Sequence, residues 1–494
     1  MKSQVFKIVV FYLCLFGVTP AFGSVELKVE LRKPDAAEPQ YVMVPFEVPK
    51  GARVVSVETS YDRQNGKTKL EFGLFEPPNI GSVNDTRGFR GWSGAIRNSF
   101  FVSRDFATPG YMKGKPKTGR WHLLVGMPQM ASEMTQLALK ISFDDAPSEL
   151  RKENEAEYAR TFTHDESKKT KQPGWLKGDL HSHTIHGDGH WTVAGILDSA
   201  VAGGLDFVAL TEHNTFAHHF DIAKLQKNYP NVLAIRGQEV TTYGAHINVW
   251  GLPKKGWTDF RVVAGSPGSA ESIANSIHKR GGLASINHPT MSCGGCNWTY
   301  GSWKPMDSVE VWNASWESDD EEALKLWQAA LMRGERITAI GSSDTHQPPY
   351  EPYPYPINRE VGNPTVHVKA SRLREKNILE AVRNGNVYVT RTPVETIDFA
   401  ANGRVSGETA STDSNGGILV SLAAREFPAK AEIRLIVADG QSVSTRLIEA
   451  SGDGRKSETR LDFNDDGFVR LEIRAENGEM LGFTNPIFVK RTIE

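Results

Sequence analysis

Cysteine is scarce, with three residues in 494, so no disulfide-stapled scaffold can be built from this chain. An excess of one charge is missing too. Lys and Arg number 57 and Asp and Glu 59, giving a formal net charge of −2 and no basic footprint for nucleic acid. No segment beyond the first two dozen or so residues is apolar enough to cross a membrane, which takes ~20 residues, and no glycine-rich P-loop pattern is evident. What remains, 39% hydrophobic and 23% charged, is the composition of a folded globular protein. Single cores stop growing at roughly 250 to 300 residues, so about two or three domains are expected.

Residues 1–23 carry Lys2 and Lys7, then an apolar run from Ile8 to Val18, then small residues before Ser24. That order is the pattern of a secretory signal peptide. Cys14 follows Leu13 rather than a small residue, which argues against a lipid anchor. Cleavage after Gly23 removes two lysines and no acid, taking the charge from −2 to −4. Only Cys293 and Cys296 then remain, in a secreted or periplasmic setting that permits disulfides.

Residues 24–146 read as short alternating segments (41–48, 53–59, 121–126 and 136–143) separated by Gly, Pro and Asn turns, which predicts an antiparallel β-sandwich. Residues 147–174 are highly charged, without apolar periodicity, and read as a linker. Across 175–392 apolar strands (176–183, 207–213, 233–240, 246–252, 283–288, 308–313 and 337–342) alternate with helical stretches (193–203, 271–280 and 319–333, the last opened by a Ser318 cap). That alternation predicts an α/β fold with a barrel-like arrangement. Residues 393–494 return to strand texture, as at 432–437 and 468–474, and predict a small C-terminal β domain.

Chemistry-bearing residues gather at the strand ends. His181 and His183 stand two apart in GDLHSHTIHGDG and share a face, and Asp188 follows in a glycine-flanked turn. One apolar strand ends at Glu212 and His213 and another near Glu239. His246 opens the AHINVW strand, His288 closes ASINHP, and Asp344 and His346 close AIGSSDTH. In parallel α/β barrels such ends converge in one mouth. The candidate metal ligands are therefore His181, His183, Asp188, His213, Glu239, His246, His288, Asp344 and His346. All are imidazoles or carboxylates, a donor set that suits two or three divalent ions of zinc, manganese or iron, with Glu239 a natural bridge. A lone HxH or DxH is more often a pair of hydrogen-bonded surface groups than a metal site; six of 14 histidines at the edges of apolar strands is a stronger signal.

The ordered set HSH, HGDG, TEHN, the glutamate of GQEVTT, AHINV, NHP and SSDTH resembles the polymerase-and-histidinol-phosphatase (PHP) domain. With the leader, the N-terminal β segment, CGGCNW after NHP and the ending GNVYVTRTP, it resembles the CehA/McbA branch of that family. The resemblance covers about 220 central residues. It implies a distorted seven-stranded (β/α) barrel, PHP-like, and a trinuclear centre for phosphoester hydrolysis by a metal-bridged hydroxide. It also implies one ion on His181, His183, Glu239 and Asp344, a second on Asp188, His213 and His346, and a third on Glu239, His246 and His288. Glu212 stands where many relatives have Asp, and its role is open.

Glu239 and Asp344 are thus the central catalytic carboxylates. A solvent-facing metal-bound water, His186 or His190 is a candidate to protonate the leaving group, each histidine being otherwise a supporting or surface residue. Cys293 and Cys296 read as a disulfide closing a loop near the pocket, as inert thiols, or as a further metal site. Residues 346–364 should form a tyrosine-rich wall, with Arg359 either an anion partner or a structural ion pair. The expected substrate is a small-molecule ester, with no nucleic-acid partner and no membrane span in the mature chain. Phosphoester hydrolysis is the leading function. Carboxylic or carbamate ester or amide hydrolysis is the alternative, and non-catalytic carbohydrate or surface binding the third.

Overall fold

The structure, a computed structural model, describes residues 10–12, 23–144, 146, 148–160, 174–253, 256–349, 360–449 and 455–492. The rest of the leader and Arg359 lie outside the described residues. Strand accounts for 39% of the described residues and helix for 15%.

The N-terminal part consists of two antiparallel sheets. One runs in the order Val10–Tyr12, Val25–Arg32, Met134–Ser142, Val54–Tyr61, Ser99–Ser103, and the other Tyr41–Val48, Gly119–Gln129, Lys69–Phe75, Phe89–Gly94. Alternation in VELKVELR buries Leu27, Val29 and Leu31 on one face. These pack with Phe46, Phe72, Phe100 and Trp121 into a core shared by both sheets. Part of the segment read as a linker forms a helix, Ser148–Tyr158.

The barrel expected for 175–392 is not what forms. The strands instead lie in one open, mixed sheet, ordered Thr338–Ser342, Ser308–Asn313, Leu283–Ile286, His246–Trp250, Leu233–Thr241, Phe207–Leu210, Trp175–Asp179, Thr365–Lys369, Val387–Thr390. It then continues into the C-terminal strands Met480–Thr484, Gly467–Arg474, Glu432–Asp439 and Ser442–Leu447. The physical reason is visible at residues 242–245. Four residues join Leu233–Thr241 to His246–Trp250, too few for a crossover helix, so these strands pair antiparallel. His246–Trp250 is antiparallel to Leu283–Ile286 as well, and Trp175–Asp179 takes the antiparallel Thr365–Lys369 as its second neighbour. A lone bridge, Ser182 to Thr345, links the loops beyond the first and last strands of the expected ring.

The helix expected at 319–333 spans Ser318–Met332 and begins one residue earlier than the Ser318 cap implied: Glu317 is the N-cap, and its backbone N–H donates to Asp320 at 2.7 Å. At the open edge of the sheet Asn485 stands in for a strand. Its Oδ1 accepts from the Ala339 N–H and its Nδ2 donates to the Ala339 carbonyl, both at 2.8 Å. Those bonds hold the strand that leads into the Asp344 loop. Among the described residues no helix is long and apolar enough to cross a membrane.

The N-terminal sheets are joined to the central sheet through a shared core. Tyr41, Phe75 and Trp92 pack with Val240, Ile247 and Phe260. Tyr41 stacks on Tyr243 at 5.0 Å, and Phe89 on Trp257 at 4.2 Å. The Tyr243 hydroxyl donates to Glu71 at 2.5 Å across a gap that only a residue without a Cβ tolerates, since a Cβ at Gly126 would collide with that hydroxyl. Gly126→Val should therefore cost about 1–3 kcal/mol of overpacking. Denaturant unfolding reads this as a lower midpoint; an unchanged midpoint would contradict the shared core.

Candidate metal centre

The centre is assembled by the ends of strands that the sheet brings side by side. Asp179, at the end of Trp175–Asp179, accepts from the His181 N–H at 3.2 Å, the Ser343 N–H at 3.1 Å and hydroxyl at 2.5 Å, and the Gly362 N–H at 2.8 Å. It ties the HSH loop to the SSDTH loop. Burial pushes its carboxyl up to about 6, against those hydrogen bonds. The antiparallel turn at 242–245 brings His246 back beside Glu239, although His246 starts its strand and Glu239 lies near the end of its own.

Glu239 is at the centre, its side chain fully buried. Its Oε1 accepts from Asn287 Nδ2 at 2.7 Å and faces His246 Nδ1 at 3.1 Å, His181 Nε2 at 3.5 Å and His288 Nε2 at 3.5 Å. Its Oε2 has no aligned hydrogen-bond donor among the described residues, though His213 Nδ1 is 2.6 Å away and His183 Nε2 3.5 Å. His181 and His183 present Nε2 atoms 3.0 Å apart, and both face Asp344 Oδ1, at 3.3 and 3.1 Å. Asp188 Oδ1 lies 3.4 Å from His213 Nε2 and 3.3 Å from His346 Nε2.

Among the described residues four groups of ligand atoms are close enough to hold an ion: His183, Asp188, His213 and His346; His181, His183 and Glu239; His213, Glu239 and His246; and His246 with Cys293 and Cys296, whose sulfurs are tied up in a disulfide. With bonds of ~2.1 Å, the edges of a tetrahedral or octahedral coordination shell are ~3.4 or ~3.0 Å, the spacing seen here. All nine residues expected as ligands come together. The grouping differs from the implied one in that His183 also joins the Asp188 set, and His213 reaches Glu239 together with His246. Asp344, 3.3 and 3.1 Å from His181 and His183, and His288, 3.5 Å from Glu239, approach the centre without entering one of these groups.

Protonation follows from this crowding. Burial, then His346 and His213, hold the His183 imidazole down at about 3, so it is neutral with a lone pair to give. Burial opposes a charged His213, but Glu239 and Asp188 outweigh it and push this imidazole up to about 10. Burial alone would raise Glu239; His213, His246 and His181 overturn that and hold it well below the usual carboxylate range. Asp188 is lowered in the same way by His213 and His346. Two candidate ligand positions have left-handed backbone, His288 at φ 26° and Asp344 at φ 47°, conformations that cost of order 1–3 kcal/mol in a non-glycine residue and gather at functional sites.

His186 is not part of this centre. Its Nε2 lies 2.9 Å from Asp221, and its Nδ1 accepts from the Gly110 N–H at 3.2 Å, so both ring nitrogens are occupied elsewhere. The His190 backbone N–H donates to the His346 carbonyl at 2.6 Å. Cys293 and Cys296 form a disulfide, with Cα atoms 5.4 Å apart, against His246. Glu212 accepts from the Thr184 N–H at 2.9 Å and hydroxyl at 2.5 Å, and burial pushes its carboxyl up to about 8.

Sequence reasoning missed Glu310. Its Oε1 lies 3.2 Å from His181 Nδ1, and its Oε2 accepts from the His288 N–H at 3.1 Å and Asn313 Nδ2 at 3.0 Å. A lone acid in the apolar strand SVEVWN was the available signal, because a buried carboxylate needs partners. Asn287, which donates to Glu239, was passed over between two conspicuous neighbours. No family model and no curated protein matches the chain.

Glu310 orients His181 and the His288 backbone, so Glu310→Gln should weaken metal binding by about 10- to 100-fold with all nine ligands intact. Titration with zinc or manganese against a competing chelator measures this, and wild-type affinity in the variant would remove Glu310 from the centre.

Proposed function

We propose that this protein is a metal-dependent hydrolase of small ester substrates, acting by preference on phosphoesters and exported by its N-terminal leader. The observation that carries the reading is the buried Glu239 carboxylate, with one oxygen lacking an aligned donor and imidazole nitrogens on both sides. A donor set of imidazoles and carboxylates fits two to three ions of zinc, manganese or iron. His181, His183, Glu239 and Asp344 would hold one, Asp188, His213, His346 and His183 a second, and Glu239, His246, His213 and His288 a third. Ions there would supply Lewis acidity toward the ester and a water of near-neutral pKa as nucleophile. The order of the motifs, which resembles the PHP domain, supports the same reading.

The chain's own residues divide the remaining work. His181, His183 and Glu239 have no exposed side-chain surface and form the closed inner side of the centre. Asp188, with 39% of its side chain exposed, and His213 and His346 form the open side, where substrate enters. The leaving group departs toward that side and takes its proton from solvent, since His186 is turned to Asp221.

Metal uptake should be linked to pH. The raised His213 pKa means that its proton stabilises the metal-free fold fully below the ordinary histidine value of about 6.5, with the contribution lost as pH rises through about 10. An ion must displace that proton, so affinity should rise with pH across this window and binding should release protons into the buffer. Elemental analysis of the purified protein is the test, paired with hydrolysis of p-nitrophenyl phosphate, bis-p-nitrophenyl phosphate and a naphthyl carbamate before and after chelation. The expected result is about two to three ions per chain and phosphoester turnover that chelation abolishes. Carbamate turnover alone would move the reading to the carboxylic-ester alternative, and a metal-free, inert protein would leave only a binding role.

A further inference from the structure

A cavity of 540 Å³ opens above the centre, and its two sides come from different parts of the chain. Asp188, His213 and His246 form its floor, while Lys69, Glu71 and Ile96, from the N-terminal sheets and the turn after Phe89–Gly94, line the opposite wall. The wall is held in place by the Tyr243–Glu71 hydrogen bond and the Tyr41–Tyr243 stack described above. Glu71 interacts electrostatically with Lys69 on its own strand and with His213 and Asp188 on the floor, so wall and floor are within reach of one small ligand.

The chemistry of the wall complements that of the floor. Lys69 is exposed, and its ammonium makes no hydrogen bond or ion pair with any described residue. Ile96 is 49% exposed, a large apolar side chain left facing a ligand-sized space. A solvated surface lysine and a stray exposed isoleucine are common singly. Here they share one cavity wall above the candidate ligands.

We infer that the N-terminal sheet is the substrate-recognition wall of this centre, with Lys69 pairing with a negatively charged group of the ester and Ile96 bearing against its apolar part. The substrate class is then an anionic ester with an apolar organic group. The inference rests on the metal-centre reading above for the floor, and its test separates the two.

Phenylphosphonate and methylphosphonate, anions that cannot be hydrolysed, are titrated calorimetrically into the metal-loaded full chain and into Lys69→Glu, Lys69→Ala, Lys69→Arg and Ile96→Ser. For both phosphonates Kd should rise about tenfold or more in Lys69→Glu, less in Lys69→Ala, and return toward wild type in Lys69→Arg. Ile96→Ser should lose the preference for phenyl over methyl while keeping methylphosphonate affinity. With p-nitrophenyl phosphate the Lys69 variants should change KM far more than kcat. Equal phosphonate affinity in wild type and Lys69→Glu, or no phosphonate binding by wild type, overturns the inference. Lys69-dependent phosphonate binding without any ester turnover would instead sustain the wall and sink the hydrolytic reading.

Discussion

A carboxylate with no exposed surface, Glu239, sits among the imidazoles of His181, His183, His213, His246 and His288. Taking an ion out of water costs several kcal/mol even after relaxation, and removing one partner of a buried ionic group costs about 3–5 kcal/mol. The surroundings must therefore supply positive charge, and two sources are available. Protons on imidazoles such as His213, raised to about 10, serve in the metal-free chain. Divalent ions would serve better, because they satisfy the Glu239 oxygen that has no aligned donor and let the crowded Nε2 atoms act as lone-pair donors.

That constraint explains features that would otherwise be costly. His288 and Asp344, two candidate ligands, have left-handed backbone, a strain that functional sites gather. Asp179 and Glu310, both buried, spend much of their hydrogen bonding on the segments that carry the candidate ligands, at the His181, Ser343 and His288 N–H groups and the His181 ring. The N-terminal sheets, whose own core is complete, still lend Tyr41, Phe75 and Trp92 to the central core. They thereby stand as one wall of the cavity above the centre.

Strands were legible in the sequence wherever apolar runs were bounded by turn residues: Ser308–Asn313 was placed to the residue, and Phe207–Leu210 and Leu283–Ile286 within a few. Their arrangement was not. Seven strands with helices interposed suggested a barrel, whereas the four residues between Thr241 and His246 and the antiparallel Thr365–Lys369 give an open mixed sheet. The site survived that error because reversing His246–Trp250 brings its first residue to the edge where its neighbours end. The ligand candidates were legible because imidazoles and carboxylates interrupt apolar strands. Glu310 and Asn287 were not, because a single polar residue without a spaced companion has no sequence pattern. Of the two roles left open for His186, its ring on Asp221 and the Gly110 N–H favours the supporting one, which no sequence spacing could show.

The most direct test of the account is anomalous X-ray diffraction from crystals of the full chain grown with zinc or manganese. The account predicts at least two anomalous peaks, with one or more bonded to a Glu239 oxygen at ~2.0–2.2 Å. A Glu239 carboxylate engaged only by protonated imidazoles, with no peak among His181, His183, His213 and His246, would contradict it.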